Sequence, residues 1–413
     1  MTGVYLPAAR TGTAELTLTA PTGEPLADED VVVEQTRHAF ELGSIGFDLV
    51  EHATGEQQRD QLATDWLRLF NTATLPFYWG RFEPERGRPD TARLTAAARW
   101  FADHGVRLKG HPLVWHTVKA PWLDPLPTDE VEAVLRARVR RDVHDFAGLV
   151  DTWDAINEVV IMPEFRNEPD GVPNAISRLA REVGRVGMVR LAFTSAREVN
   201  PTARLLINDF DLSERYEQLI SEILDAGVHL DAIGLQTHMH QGFRGEEQLL
   251  EVADRFARFG LPLHFTETSL VSGDLMPADV VDLNDHVVDQ WPSTPEGEAR
   301  QAEEIERHYR TLFAHPAVAA ITYWGITDRA AWLGAPIGLL RADGSRKPAY
   351  EVLDELINDE WWLAPTTMRT DAGGRVQVTG AHGDYQVRCG AAAATFALAS
   401  GSSRTQLVVS PAR

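Results

Sequence analysis

Short apolar runs alternate along the chain with longer stretches that place apolar residues three and four apart. Eight runs recur in order: FELGSIGF (40–47), FNTATLPF (70–77), RLKGHPLVW (107–115), TWDAINEV (152–159), RLLINDF (204–210), AIGLQTHM (232–239), PLHFTETS (262–269) and AITYWGIT (320–327). Their length and their apolar or β-branched character suit buried strands. Between them, segments such as TARLTAAARWFADHG, DEVEAVLRARVRRDVHDFAGLV, AISRLAREVGRVGMVRLAFTSAREV, SERYEQLISEILDAG and EEQLLEVADRFARFG have the spacing of amphipathic helices. Eight strand–helix units in succession predict an α/β fold, a (β/α)8 TIM barrel. A doubly wound open sheet is the rival architecture, but no glycine-rich phosphate loop follows any run.

Polar residues interrupt the pattern at one place per unit. His111 and His116, Asn157 and Glu158, Asn208 and Asp209, Gln236 and His238, Glu267, and Asp328 all fall at or near the C-terminal end of a predicted strand. In a barrel, that face carries the active site, assembled from several strands at once. A glutamate within an apolar strand is costly unless paired, protonated or placed at a working site.

The two flanks read differently. Residues 13–36 suggest two strands around a Gly-Glu-Pro turn, and residues 366–409 suggest several more with glycine-rich turns. Neither flank has enough strands to stand alone. The expected organisation is therefore a small β-sandwich made from both chain ends, residues 1–38 and 359–413, with the catalytic barrel at 39–358 inserted between. The joined pattern resembles sandwich modules of the carboxypeptidase-regulatory or transthyretin-like type, with bracing as the expected role. Trp361 and Trp362 are expected to join barrel to sandwich.

Composition narrows the partners. Thirty-nine basic against 61 acidic residues leave a net charge of −22, which repels nucleic acid and favours a neutral partner such as a carbohydrate. No run of about 18 apolar residues occurs, so no transmembrane helix and no membrane partner is predicted. The start, MTGVYLPAARTGTAELTL, lacks a basic segment followed by an apolar core. A cytoplasmic location is expected on that ground; a mature chain trimmed of its signal would read the same and be secreted. Cys389 is the only cysteine, so neither an intrachain disulfide nor a cysteine metal cluster can form.

Glu158 and Glu267 close the fourth and seventh predicted strands and would converge across a barrel mouth. Two carboxylates about 5–5.5 Å apart suit retaining glycoside hydrolysis, one attacking the anomeric carbon while the other protonates the leaving oxygen. The proton donor needs a raised pKa, from partial burial and its neighbour's charge. Such chemistry requires no metal or cofactor. A different class is also readable: His238 and His240 in THMH (237–240) lie on one side of a strand, as in a metal-dependent barrel hydrolase. A non-catalytic sugar-binding protein is a third reading, against which both glutamates are present.

At these motifs the chain resembles glycoside hydrolase family 10, the xylanase family. GHPLVWH (110–116) is similar to the family's third-strand motif and WDAINE (153–158) to its acid/base motif. INDF (207–210), GLQTHM (234–239), FTET (265–268) and YWGITDRAAW (323–332) follow in the family's order, so that the resemblance spans about residues 40–357. It implies a retaining β-glycosidase resembling endo-1,4-β-xylanases, with Glu158 as acid/base and Glu267 as nucleophile. It further implies that His111, Trp115, Asn157, Gln236, His238, Trp324 and Trp332 surround the sugar. Beside it, Asn157 could donate to the sugar 2-hydroxyl, His238 or Gln236 could hold Glu267 ionised, and the tryptophans offer flat faces to sugar C–H bonds.

The second strand departs from the family. Most members carry Glu-Asn-x-x-Lys-Trp there, whose polar side chains bind the next sugar on the non-reducing side. TLPFYWGRFEP (74–84) keeps Trp79, Glu83 and Pro84, but Thr74, Leu75 and Tyr78 replace the glutamate, asparagine and lysine. The same mechanism on a terminal sugar, a decorated chain or a glycoside with an apolar aglycone is therefore the alternative, with Tyr78 a candidate substrate contact. Residues 270–295 show no long helix, and Trp291, Asp279, Asp282, Asp285 and Asp289 in this loop are candidates for contacting substrate or an ion.

Overall fold

Strands form where the apolar runs predict them. The computed structural model describes residues 6–166, 172–329 and 331–411, so residues 1–5 of the opening segment and Ala330 of YWGITDRAAW lie outside the described residues. In chain order the strands are β1 (Thr11–Thr19), β2 (Asp30–His38), β3 (Glu41–Ile45), β4 (Thr72–Pro76), β5 (Arg107–His111), β6 (Thr152–Asn157), β7 (Arg204–Asp209) and β8 (Ala232–Met239). They continue as β9 (Leu263–Leu270), β10 (Val318–Tyr323), β11 (Thr366–Arg369), β12 (Arg375–Ala381), β13 (Gly383–Cys389), β14 (Ala392–Leu398), β15 (Gly401–Val408) and β16 (Ser410–Pro411).

Strands β3 to β10 close into a parallel barrel in sequence order, with β10 pairing β3. Each of the eight runs supplies one barrel strand. Helices outside and side chains inside cover both faces of the strands, which is why they read as continuous apolar runs; all eight residues of β9 are buried. Close packing inside the barrel dictates one glycine. A Cβ on Gly110 would lie 2.2 Å from the Trp153 ring, so that position must stay bare. The helix Ala175–Arg197 departs from the uninterrupted helix its apolar spacing predicts: Gly184, at φ 72° and ψ 168°, breaks it. Glycine adopts that conformation without a Cβ clash, and periodicity does not register it.

The chain ends build two further sheets, ordered β12-β1-β15 and β11-β2-β13-β14-β16. Alternation in β1 turns Ala14, Leu16 and Leu18 inward, where they meet Val31 and Val33 of β2 and Tyr385 of β13 in a core of their own. The two N-terminal strands do not pair as a hairpin: β1 runs between β12 and β15, while β2 runs between β11 and β13. Alternation fixes which face of a strand is buried but not which strand lies beside it. At the joint with the barrel, Trp361 stacks on Phe313 of the helix Pro295–Ala314 (centroids 3.9 Å apart, planes 11° apart), and Trp362 packs edge-on to His38. Arg10 adds a polar tie, donating to the carbonyls of Phe313, His315 and Val318 with its guanidinium over the Phe40 ring.

Candidate active site

The C-terminal ends of β4 to β10 bring the predicted site residues to one mouth. Glu158 follows β6 with φ 55°, a left-handed conformation that costs a non-glycine residue energy. Its amide donates to the Asn208 carbonyl (2.8 Å). Trp115 Nε1 donates to Glu158 Oε2 (2.8 Å) and Asn157 Nδ2 to Oε1 (3.1 Å), while His116 Nε2 stands 3.9 Å from Oε2. Only 15% of the Glu158 side chain remains exposed. Burial pushes its pKa up to about 8; the charges of Glu267 and Asp209 add to the rise, and the Trp115 and Gln236 hydrogen bonds oppose it.

Glu267 lies within β9 and is supplied with donors. Asn208 Nδ2 donates to its Oε1 (2.8 Å), His238 Nε2 lies 3.2 Å from its Oε2, and His111 Nε2 is 3.9 Å from Oε1. His238 Nδ1 is itself within 3.0 Å of Ser269 Oγ, which leaves neither ring nitrogen of His238 idle. His111 Nδ1 meets Asp154 Oδ2 at 2.8 Å, and Lys109 Nζ reaches the same oxygen at 2.9 Å. Burial alone would raise the Asp154 pKa; Lys109 and His111 overcome it and hold the carboxylate at about 2.

One side chain joins the two acids. Asn208 Nδ2 donates both to Glu267 Oε1 and to Asn157 Oδ1 (2.7 Å), and Asn157 Nδ2 in turn donates to Glu158. The Thr266 hydroxyl donates to Asn208 Oδ1 at 2.5 Å, which fixes which end of that amide is nitrogen. Gln236 Nε2 donates to Asn157 Oδ1 at 3.0 Å. Gly234 makes room for this arrangement: a Cβ there would stand 2.4 Å from Asn208 Oδ1. Hydrogen bonds thus run without interruption from Glu158 through Asn157 and Asn208 to Glu267.

Several details differ from the sequence reading. His238, not Gln236, contacts Glu267; Gln236 turns instead to Asn157 and Glu158. Asn157 is turned to Glu158 and receives from Asn208 and Gln236. Asn208 was legible only as a strand-end polar residue, since its partners come from β6 and β9. Asp209 is wholly buried and receives the Val160 and Asp211 amides, which pins the backbone after Glu158. Asp328 accepts from buried Lys347 (2.8 Å) and from the Gly338 amide (2.8 Å). In the loop after β9, Asp282 receives the amide of Asn284 (2.9 Å) and Trp291 Nε1 donates to the Asp274 carbonyl (2.8 Å), contacts of the loop with itself. Among the described residues, no group of three or more His, Cys, Asp or Glu side chains could hold a metal ion. Both His238 nitrogens have protein partners, Ser269 and Glu267.

Rings complete the mouth. Trp324 stands edge-on to His111 (5.1 Å), and Trp332 faces His238 (4.9 Å) and His240 (5.3 Å). Tyr78 packs against Trp115 (5.6 Å) and edge-on to His111 (5.6 Å). Of the three departures in the second strand, Tyr78 joins these rings, whereas Thr74 and Leu75 are fully buried.

Fold and site together define a (β/α)8-barrel protein with a bridged carboxylate pair at the strand C-termini. The model of glycosyl hydrolase family 10 matches residues 44–356, and the chain belongs to that family. Among curated proteins it is 26% identical over 284 residues to an endo-1,4-beta-xylanase/feruloyl esterase of Xylanibacter ruminicola, covering 64% of this chain and 39% of that protein. It is 28% identical over 244 residues to a beta-1,4-xylanase of Dictyoglomus thermophilum, covering 56% and 63%. The chain thus spans less than two thirds of the length of either relative. Native xylanase 10B of Thermotoga maritima shares the fold, with a TM-score of 0.62 at 23% identity over 78% of this chain and 96% of that one. No helix among the described residues is long and apolar enough to cross a membrane.

Proposed function

We propose that the protein hydrolyses β-glycosides with retention of configuration, using Glu267 as nucleophile and Glu158 as acid/base. One observation carries this: the two carboxylates occupy opposite settings yet are bridged by Asn157 and Asn208. Glu158, with its pKa near 8, holds a proton at neutral pH and can give it away. Glu267 receives hydrogen bonds that suit a carboxylate ready to attack.

In the first step a Glu267 oxygen bonds to the anomeric carbon while the bond to the leaving oxygen breaks and takes the Glu158 proton. In the second, water gives a proton to Glu158 and its oxygen displaces Glu267. Both steps balance with the two carboxylates and water. His111, Trp115, Asn157, Gln236, His238, Trp324, Trp332 and Tyr78 enclose the sugar. Asn157 keeps one amide hydrogen beyond its bond to Glu158, available to the sugar 2-hydroxyl as positive charge develops on the ring. Both relatives are named as xylanases, which supports a β-1,4-linked xylose polymer or a fragment of one as substrate. The apolar Tyr78 rim favours a second reading, the same chemistry on a terminal sugar or a simple glycoside.

Proton NMR of the first-formed product on an aryl β-xyloside should show the β-anomer, and Glu267→Ala should lower kcat by about 10⁴-fold or more. An α-anomer formed first, or substantial turnover by that variant, refutes the assignment.

A further inference from the structure

One end of the mouth is closed by rings. Phe47, two residues past the end of β3, stands edge-on to Tyr78 (5.7 Å), Tyr78 to His111 (5.6 Å), His111 to Trp324 (5.1 Å), and Trp324 back to Phe47 (5.8 Å). These four contacts form a closed circuit, and all are near-perpendicular, at 77° to 85°. Rings at such separations are already in van der Waals contact, so no sugar can pass between them. Trp115 supports Tyr78 from the third-strand side (5.6 Å).

The circuit stands on the nucleophile's side. His111 lies 3.9 Å from Glu267, and Trp324 packs against His238, the residue 3.2 Å from the other Glu267 oxygen. The sugar that bonds to the nucleophile sits against this wall, whereas the leaving group departs past Glu158. Beyond β7, on the opposite side, Phe210 is 49% exposed, and among the described residues no ring circuit closes the way. The Tyr78 hydroxyl has no hydrogen-bond partner among the described residues, which leaves it to meet a hydroxyl of the sugar held there.

Resting on the glycosidase reading above, we infer that the cleft accepts a single sugar on the glycone side. The substrate class is then a β-glycoside whose terminal, non-reducing sugar is removed one unit at a time, and Phe47 and Tyr78 are the residues that enforce it.

The test uses 2,4-dinitrophenyl 2-deoxy-2-fluoro-β-glycosides, which leave a stable sugar ester on a retaining nucleophile. The full-length protein is treated with the xylose and glucose reagents and with their β-1,4-linked disaccharide counterparts, and the mass gain is followed in time. A monosaccharide reagent should label Glu267 about tenfold faster or more than its disaccharide counterpart. Phe47→Ala and Tyr78→Ala should raise the disaccharide rate relative to the monosaccharide rate. Disaccharide labelling of the wild type at an equal or higher rate overturns the inference while leaving the double-displacement reading intact. Absence of labelling by every reagent overturns that reading, and the inference with it.

Discussion

The two halves of the barrel mouth are built from opposite materials. Across β6 to β9, side-chain amides and an imidazole hold two carboxylates in a continuous run of hydrogen bonds. Across β10, β3, β4 and β5, rings meet edge to face, and His111, Trp115 and His238 each touch both halves. Hydrogen bonds set the position and charge of reacting atoms, and a small displacement there alters the chemistry itself. Ring packing sets only the space available. The contrast therefore separates what the site does to a bond from which bond reaches it.

Four variants would break or sharpen that contrast. The largest effect belongs to Glu158→Ala, which should lower kcat on substrates with poor leaving groups by about 10²–10⁴-fold. Dinitrophenyl glycosides, whose leaving group needs no proton, should keep a fast first step, and azide should restore the second. Equal losses for both substrate types would mean that Glu158 donates no proton. The wild-type enzyme should also lose kcat/KM as pH rises through about 8, where Glu158 gives up its proton.

Asn208→Ala comes next. It removes the donor shared by Glu267 and Asn157 without touching any ring. A fall in kcat of about 10²-fold is expected, with KM nearly unchanged. Gly234→Ala should act in the same direction by displacing the Asn208 amide. A change confined to KM in either variant would place the bridge among groups that only hold substrate.

The smallest effect is on stability. Glu158 has a folded pKa of about 8 against an ordinary 4.5, so the folded state binds its proton more tightly than the unfolded state does. That contribution is complete below pH 4.5 and is lost as pH rises through about 8. Glu158→Gln has no such proton to lose. Its Tm should therefore rise relative to wild type by about 2–4 °C or more between pH 5 and about 8.5. A difference that stays flat with pH would show that Glu158 is better solvated than its surroundings indicate.

Much of this arrangement was legible in the sequence because buried parallel strands leave a strong mark. Apolar runs that end in a histidine, asparagine or glutamate locate both the barrel strands and the face where they open. Asn208 illustrates what remained hidden. Asparagine at a strand end is common, and the residues it joins lie on β6 and β9, so its meaning depends on three-dimensional neighbours. Phe47 is similar: one aromatic residue after a strand carries no signal until Tyr78, His111 and Trp324 are seen around it. Thr74 and Leu75 read as altered sugar contacts and are fully buried, a setting that alternation along a short strand does not reveal.

The interleaving of the chain ends bears on the order in which the molecule can assemble. Strands β1 and β2 are synthesised before the barrel, yet each is flanked on both sides by strands made after it. During translation they emerge with both edges bare and wait for partners that only the segment after the barrel supplies. Loop-closure entropy makes such distant pairing slow, and unpaired edges invite association with other chains. A ribosome stalled before β11 would release a barrel carrying two orphan strands. The sandwich is therefore a late seal on synthesis, completed only when the strands beyond the barrel have emerged.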